Sequence, residues 1–387
     1  MEASYIQRAA YDEFKRRVRP QKVLILLGAR RVGKTELIKK YISELAPGEY
    51  QLHNGEDQNT WQLFAERTVA NYKRLLGATK LLVIDEAQKI PDIGLKLKLM
   101  VDSIDGLSII ATGSSVFDLT NKLGEPLVGR ANTLQLFPLA QMEFGLIENH
   151  FETTVNLEER LLFGGYPELL HIENWNEKIE YLDDVIGSNL IRDILEFEGV
   201  RKSEKIMGLL RLIAFQVGKE VNVEELAKSL KDISRNTVES YLDLLEKVFI
   251  IYKVGGFSRN LRKEVTKMNR WYFYDNGIRN AIIKNFNKLD FRQDSGELWE
   301  NYLMAERMKY NAYSKNLAQR YFWRTYDQQE IDLVEEGSGK LSAYEFKWNV
   351  KKKSKAPGAW KRAYPDASFE TINRENYLDF ITLQDEG

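Results

Sequence analysis

Residues 22–27, KVLILL, are apolar from the second position onward and lead directly into the loop GARRVGKTEL and the helical stretch LIKKYISEL. An apolar run without alternation is the pattern of a strand covered on both faces. The runs LLVIDEAQ at 81–88 and LSIIATGSS at 107–115 repeat it, with helical segments between them. Buried strands alternating with helices predict an α/β architecture with a mostly parallel sheet. Ligands of such a sheet sit at the carboxyl ends of the strands, where the polar residues of these segments begin.

From about Leu157 the pattern becomes helical, and GGYPE at 164–168 interrupts it. The stretch 221–254 divides into a short helix, a turn, a longer helix and a strand. Asn222 and Glu225 have capping-box spacing, and Ser234 is placed to cap the second helix. Val238, Tyr241, Leu242, Leu245 and Val248 fall on one face of that helix. With GGFSRNLRKEV at 255–265 as a wing, this order predicts a winged helix. Beyond about residue 290, a helix over 296–310 precedes the strands YFWRTY, EIDLVEE and LSAYEFKW. The chain is therefore read in three parts: 1–155 with the parallel sheet, 156–285 helical and winged-helix, and 286–387 a second α/β domain.

A length of 387 residues accommodates two or three such domains. The absence of cysteine excludes a disulfide framework, a thiol nucleophile and cysteine-ligated metals, and His53, His150 and His171 have no metal-binding spacing. The formal charge of -1 confines any nucleic-acid surface to a local patch. With no membrane-length apolar run and no secretory h-region, the expectation is a cytoplasmic protein without a membrane partner.

The loop Gly28-Ala29-Arg30-Arg31-Val32-Gly33-Lys34-Thr35 satisfies G-x-x-x-x-G-K-[ST] between a buried strand and a helix. Its glycines let backbone amides turn toward phosphates, Lys34 can meet the β and γ phosphates, and Thr35 can offer its hydroxyl to Mg²⁺. Glu36 completes the expected nucleotide-binding stretch 28–36. Asp85 ends its strand as a Mg²⁺-shell carboxylate would, and Glu86 is the natural base for a water aimed at the γ-phosphate. Ser114 or Thr112 can sense that phosphate, a Thr-Gly-Ser-Ser turn having capping uses as well. Arg30, Arg31 and Arg130 are candidate charge clamps, with Arg130 suited to act from a neighbouring subunit of a homo-oligomer.

GARRVGKTEL, LLVIDEAQKIP, IIATGSS, GRANTLQLFPLA and GGYPE resemble the prokaryotic AAA-type P-loop ATPases that carry an AAA_14-like domain and a DUF4143-like C-terminal region. The similarity continues through SRNTVESYLDLLEKVFII, RWYFYDNGIRN, GELWENY, YFWRT, EIDLV and AYEFKW. Members often have glutamine at Arg31 and threonine or serine at Glu36; neither difference removes a required chemical group. The resemblance implies ATP and Mg²⁺ as cofactors, slow hydrolysis, and adenine as the base.

In the last part, Asp332 and Glu345 lie on adjacent short strands, and Lys347 follows Glu345 with one residue between, so those two share a face. Glu300 on the preceding helix is a fourth member. The set is similar to the PD-(D/E)xK core of restriction-endonuclease-like nucleases, with the carboxylates as a second metal site. Lys351, Lys352, Lys353, Lys355, Lys361 and Arg362 form a basic tract, either a phosphate-binding patch or a solvated face. Arg259, Arg262, Lys263 and Lys267 suit phosphates better than Arg235, Asn236, Glu239, Ser240 and Asp243 on the second helix suit a major groove. Tyr272, Phe273, Tyr274 and Trp323 read as strand core or as base-stacking surfaces. Three functions stay open: an ATPase driving C-terminal domains on DNA or a protein partner, an ATP-regulated DNA nuclease, and a non-catalytic nucleotide-dependent binding module.

Overall fold

A computed structural model describes residues 5–113, 127–190, 194, 203–259, 268–352 and 354–383. The chain divides into two units, Met1–Pro138 with Lys247–Phe249, and Leu139–Glu246 with Ile250–Gly387.

The first unit is built on five parallel strands, β1 (Val23–Leu27), β2 (Tyr50–Asn54), β3 (Leu81–Asp85), β4 (Ser108–Gly113) and β5 (Ala131–Gln135), in the order β2-β3-β4-β1-β5. Every residue of β1 is buried, as its unbroken apolar run requires. Helices α1 (Tyr11–Arg17), α2 (Lys34–Ile42), α3 (Gln58–Leu63), α4 (Val69–Leu76) and α5 (Ile93–Ser103) accompany the sheet. Asp57 caps α3 by accepting from the Asn59 amide, and Thr68 caps α4 by accepting from the Asn71 amide. Because β1, β3 and β4 run in register and in one direction, their carboxyl ends bring Gly28, Asp85 and Gly113 to one rim.

The second unit opens with helices α6 (Gln141–Phe144), α7 (His150–Val155), α8 (Leu157–Phe163) and α9 (Trp175–Asp184). Between α8 and α9, Gly164 adopts φ 78°, and a Cβ on it would meet Asp275 Oδ1 at 2.0 Å. The neighbouring Gly165 amide donates to Asp275 Oδ2, 2.7 Å away. Gly164 is thus explained by a close approach to a buried carboxylate, and Gly165 by the Leu139 carbonyl, whose oxygen would stand 2.5 Å from a Cβ there.

Next come α10 (Ser203–Phe215), β6 (Glu220–Val221), α11 (Val223–Leu230), α12 (Arg235–Lys247), β7 (Ile251–Gly256) and β8 (Asn269–Phe273), with β8 antiparallel to both β6 and β7. Asn222 Oδ1 caps α11 from the Glu224 amide at 2.9 Å, and Ser234 Oγ accepts from the Thr237 amide. Val238, Tyr241, Leu242 and Leu245 are buried on one face of α12, as their spacing predicts.

Helices α13 (Asn276–Ile283) and α14 (Ser295–Tyr313) follow, then β9 (Gln319–Arg324), β10 (Glu330–Gly337), β11 (Lys340–Phe346), α15 (Gly358–Ala363), β12 (Ser368–Ile372) and α16 (Tyr377–Ile381). Strand β10 is antiparallel to β9 and β11, and β12 is parallel to β11. A short parallel pairing of β7 with β9, Gly255 with Tyr321 and Gly256 with Phe322, joins all seven strands into one sheet, β12-β11-β10-β9-β7-β8-β6. Tyr272, Phe273 and Trp323 are buried in this unit's core, so those three rings pack rather than stack on bases. Trp323 belongs to a cluster with Phe257, Ile331, Val334, Trp360 and Tyr364. Among the described residues, no helix is long and apolar enough to cross a membrane.

Candidate functional site

At the carboxyl end of β1 the chain turns through Gly28, whose Cα lies so near the Leu136 carbonyl that a Cβ would stand 2.2 Å from its oxygen. Arg31 at φ 62° and Gly33 at φ 94° complete the reversal, and α2 starts immediately at Lys34. The apolar Val32 is fully buried and anchors the loop, while Glu36 on the first turn of α2 is exposed and pairs with Lys39 at 2.8 Å. Ala29 and Arg30 fill the loop between these points. Arg8, buried in front of α1, donates to the carbonyls of Val32 and Phe137, both at 2.7 Å. It braces the loop from the segment before β1, a role the sequence signals only as a lone arginine between apolar residues.

Lys34 Nζ donates to the carbonyls of Gly28 at 2.8 Å and Ala29 at 3.0 Å, so the ammonium lies over the loop that precedes it. Thr35 Oγ1 donates to Asp85 Oδ2 at 3.1 Å. The other oxygen of Asp85 accepts from Thr112 Oγ1, and that hydroxyl also accepts from the Glu86 amide at 2.9 Å. Glu86 sits at φ 50°, ψ 45°, a conformation costly for a non-glycine residue, and its carboxylate Oε2 accepts from Gln88 at 2.6 Å. Thr35, Asp85, Thr112 and Glu86 therefore form one connected chain at the sheet rim. Ser114 lies outside the described residues.

Arg130 is elsewhere. It precedes Ala131, which pairs with Val23 at the amino end of β1, and it is bonded to Asp102 at 2.5 Å. The length of β1, roughly 16 Å at about 3.3 Å per residue, separates it from the P-loop rim of its own chain. Arg130 is therefore remote from the nucleotide site of its own chain.

In the second unit, Leu333 pairs with Tyr344, which sets Asp332 beside Glu345 on adjacent antiparallel strands. Asp332 is 8% exposed, and its Oδ2 accepts from the Phe346 amide at 2.8 Å. Burial, then the charges of Glu300 and Glu345, push the Asp332 carboxyl well above its ordinary range. Glu300 is pushed up to about 7, chiefly by burial, against the lowering effect of Arg270 and of the Tyr272 hydroxyl, which donates to its Oε1 at 2.7 Å. Lys347 Nζ donates to Glu345 Oε1 at 2.6 Å; burial alone would lower the lysine, but this pairing prevails and raises it.

The four expected residues thus share one neighbourhood. Each carboxylate is nevertheless engaged by a different partner, and among the described residues no three His, Cys, Asp or Glu side chains form a metal-holding set. The proposed Glu300–Asp332–Glu345 ligand set is to that extent not assembled. Sequence reasoning missed Arg270 and did not place Tyr272 at this cluster; both are on β8. Arg270 is 4% exposed and bonds Glu330 at 2.9 Å. Of the basic residues expected to hold phosphates, Arg259 pairs with Glu336 at 2.5 Å, whereas Arg262, Lys263, Lys267 and Lys353 lie outside the described residues. Arg235 on α12 is bonded to both Glu224 and Glu239.

Residues 20–145 match the family model described as an AAA domain. The chain carries an AAA-type P-loop NTPase domain. Residues 154–289 and 295–377 match two models described as domains of unknown function, DUF8612 and DUF4143. The chain is 25% identical to an uncharacterized protein of Methanocaldococcus jannaschii, covering 95% of this chain and 83% of that one. It is 26% identical to an uncharacterized protein of Mycobacterium tuberculosis, covering 88% and 74%. A structure of AMPPCP-bound DnaA from Aquifex aeolicus aligns with 64% of this chain and 89% of that one at 15% identity. Its TM-score of 0.32 is a level that carries no argument. The α/β architecture, with a parallel P-loop-type sheet followed by a helical region, and the AAA domain are consistent with ATP binding.

Proposed function

We propose that the AAA domain is a Mg²⁺-dependent ATPase whose turnover acts on the C-terminal half of the chain, which contacts DNA or a protein partner. The observation that carries this reading is the 3.1 Å bond between Thr35 Oγ1 and Asp85 Oδ2, which joins the P-loop helix to the tip of β3. A hydroxyl and a carboxylate so placed are a hard-oxygen donor pair suited to Mg²⁺. The absence of a Cβ at Gly28 lets the loop backbone close around phosphates. When bound, Mg²⁺ supplies charge neutralisation on the phosphate oxygens. Lys34 binds those oxygens, the amides of residues 29–35 orient them, and Glu86 Oε1 takes the proton of the attacking water while Gln88 holds Oε2. Thr112, bonded to the Glu86 amide, or Ser114 senses the γ-phosphate.

Phosphate release from ATP and GTP with Mg²⁺, with and without mixed DNA, tests this in the full chain. Release from ATP should fall at least a hundredfold in Lys34→Ala and Glu86→Gln, with ATP binding retained in Glu86→Gln. Equal release in all three proteins overturns it. Nucleotide-dependent binding of DNA or protein with no phosphate release would favour the regulatory, non-catalytic module. In a homo-oligomer, Arg130→Ala should slow turnover and be rescued by mixing with Lys34→Ala subunits.

A second reading, an ATP-regulated nuclease, is supported by the shared burial of Asp332 and Glu300 beside Glu345 and Lys347. The order α14-β9-β10-β11-α15-β12 suits the nuclease-like fold, as α10-β6-α11-α12-β7-β8 suits a winged helix. Among the described residues these carboxylates are each held by their own partner and do not form a metal-ligand set. Nicking of supercoiled DNA in Mg²⁺ or Mn²⁺, lost in Glu345→Ala while ATP hydrolysis persists, is the expected result under this reading. No nicking in either metal excludes it.

A further inference from the structure

Between α3 and α5 the first unit has an open cavity of about 590 Å³, lined by Trp61, Gln62, Ala65, Arg67, Pro91, Asp92 and Lys96. Lys96 is 6% exposed, yet among the described residues its ammonium forms no hydrogen bond or ion pair, and burial lowers its pKa. Its stem is buried while its ammonium opens onto the cavity, where a bound anion would supply the partner that it lacks. Asp92 is near enough to be felt but does not form an ion pair with it, and Arg67, also without an ion-pair partner, adds a second positive charge whose field opposes that of Lys96.

Lys96 lies in the first turn of α5, an eleven-residue helix whose N-cap, Asp92, is left-handed at φ 50° and makes no side-chain cap bond. Of the residues around the start of this helix, Pro91, Asp92 and Lys96 line the cavity. Against the two cations stands one carboxylate, Asp92. The cavity is larger than a single phosphate requires, and the Trp61 indole lines the remainder, a surface suited to a base or sugar.

We propose that this cavity is a phosphoryl-binding site, separate from the P-loop, that takes the phosphate of a nucleotide or of a nucleic-acid strand against Lys96 and Arg67. It is independent of whether the chain hydrolyses ATP.

The test uses the full chain with Lys34→Ala, which removes phosphate binding at the P-loop, in buffer containing EDTA. Binding of inorganic phosphate by calorimetry and of a fluorescent ten-residue oligo-dT by anisotropy is compared with the same protein carrying Lys96→Met or Arg67→Gln. Each substitution should weaken binding at least tenfold, and Lys96→Met should melt no lower than its parent without ligand. Loss of both probes identifies the phosphoryl group itself as sufficient; loss of oligo-dT, where free phosphate never bound, identifies a strand as the source. Unchanged binding of both probes in Arg67→Gln and Lys96→Met, or no binding to the parent, overturns the proposal. Arg67 is exposed, so its variant decides the matter should Lys96→Met fail to fold.

Discussion

The Thr112 hydroxyl donates to Asp85 on the neighbouring strand and accepts the amide of Glu86, so one side chain of β4 fixes both acids of β3. Thr112→Val keeps the volume and removes both bonds. Under the ATPase reading, kcat should fall about tenfold, on the order of 1.4 kcal/mol, with KM for ATP changed less than threefold. Steady-state kinetics check this; a KM effect larger than the kcat effect would assign Thr112 to binding instead.

Gly28 cannot acquire a side chain without moving the Leu136 carbonyl, which stands 2.2 Å from where its Cβ would be. Gly28→Ala should therefore weaken ATP binding at least tenfold and lower the thermal midpoint. Gly48→Ala, where nothing lies within 4 Å of the added carbon, should lower stability only through its positive φ and leave ATP affinity unchanged. Equal ATP affinities in the two variants would show that the loop yields at Leu136.

Asp332 is buried next to Glu300 and Glu345, and its neutral form is favoured by burial and by both neighbours. Asp332→Asn should raise the thermal midpoint of metal-free protein by a few degrees, since it removes a carboxyl that repels its surroundings. If the cluster takes a divalent cation, Mn²⁺ should raise the midpoint of Lys34→Ala protein, and Asp332→Asn should abolish that rise. A rise that survives the substitution places the cation elsewhere.

Asp294 shows the opposite sign. Burial would raise its carboxyl, but hydrogen bonds from Arg292 and Arg279 and their charges outweigh it and hold the pKa at about 2, below the ordinary 3.8. A depressed acid stabilises the fold above its unfolded value, and that contribution disappears as pH falls through about 2. The shift corresponds to about 2 kcal/mol. Urea unfolding at pH 5 and pH 2 should show a loss about that much smaller in Asp294→Asn than in the parent, and the variant should already be weaker at pH 5 because two buried arginines lose their partner.

In the first unit β1, β3 and β4 were legible because burial on both faces leaves them as apolar runs, and the P-loop because its chemistry is local in sequence; β2 and β5, half-exposed and polar, were not. The helices 223–230 and 235–247 were legible from caps and one apolar face. What was not legible depends on pairings between distant segments. The bond of Tyr272 to Glu300, the brace of Arg8 on Val32 and the β7–β9 pairing join residues whose local patterns carry no mark of their partners. Lys96 is the same kind of case: on α5 it reads as one more solvated lysine beside Lys98, and only the packing of the helix buries it.

The parallel pairing of β7 with β9 also has a consequence during synthesis. Roughly sixty residues separate the two strands, and at about 5–20 residues per second a ribosome takes several seconds to supply them. Throughout that interval β7 can pair with β8 but has an open edge on its other side, a template for any extended segment nearby. Early strands of the second unit must therefore wait, half-completed, for β9. Slowing translation just before β9 should increase aggregation, and a chaperone that shields strand edges should suppress it.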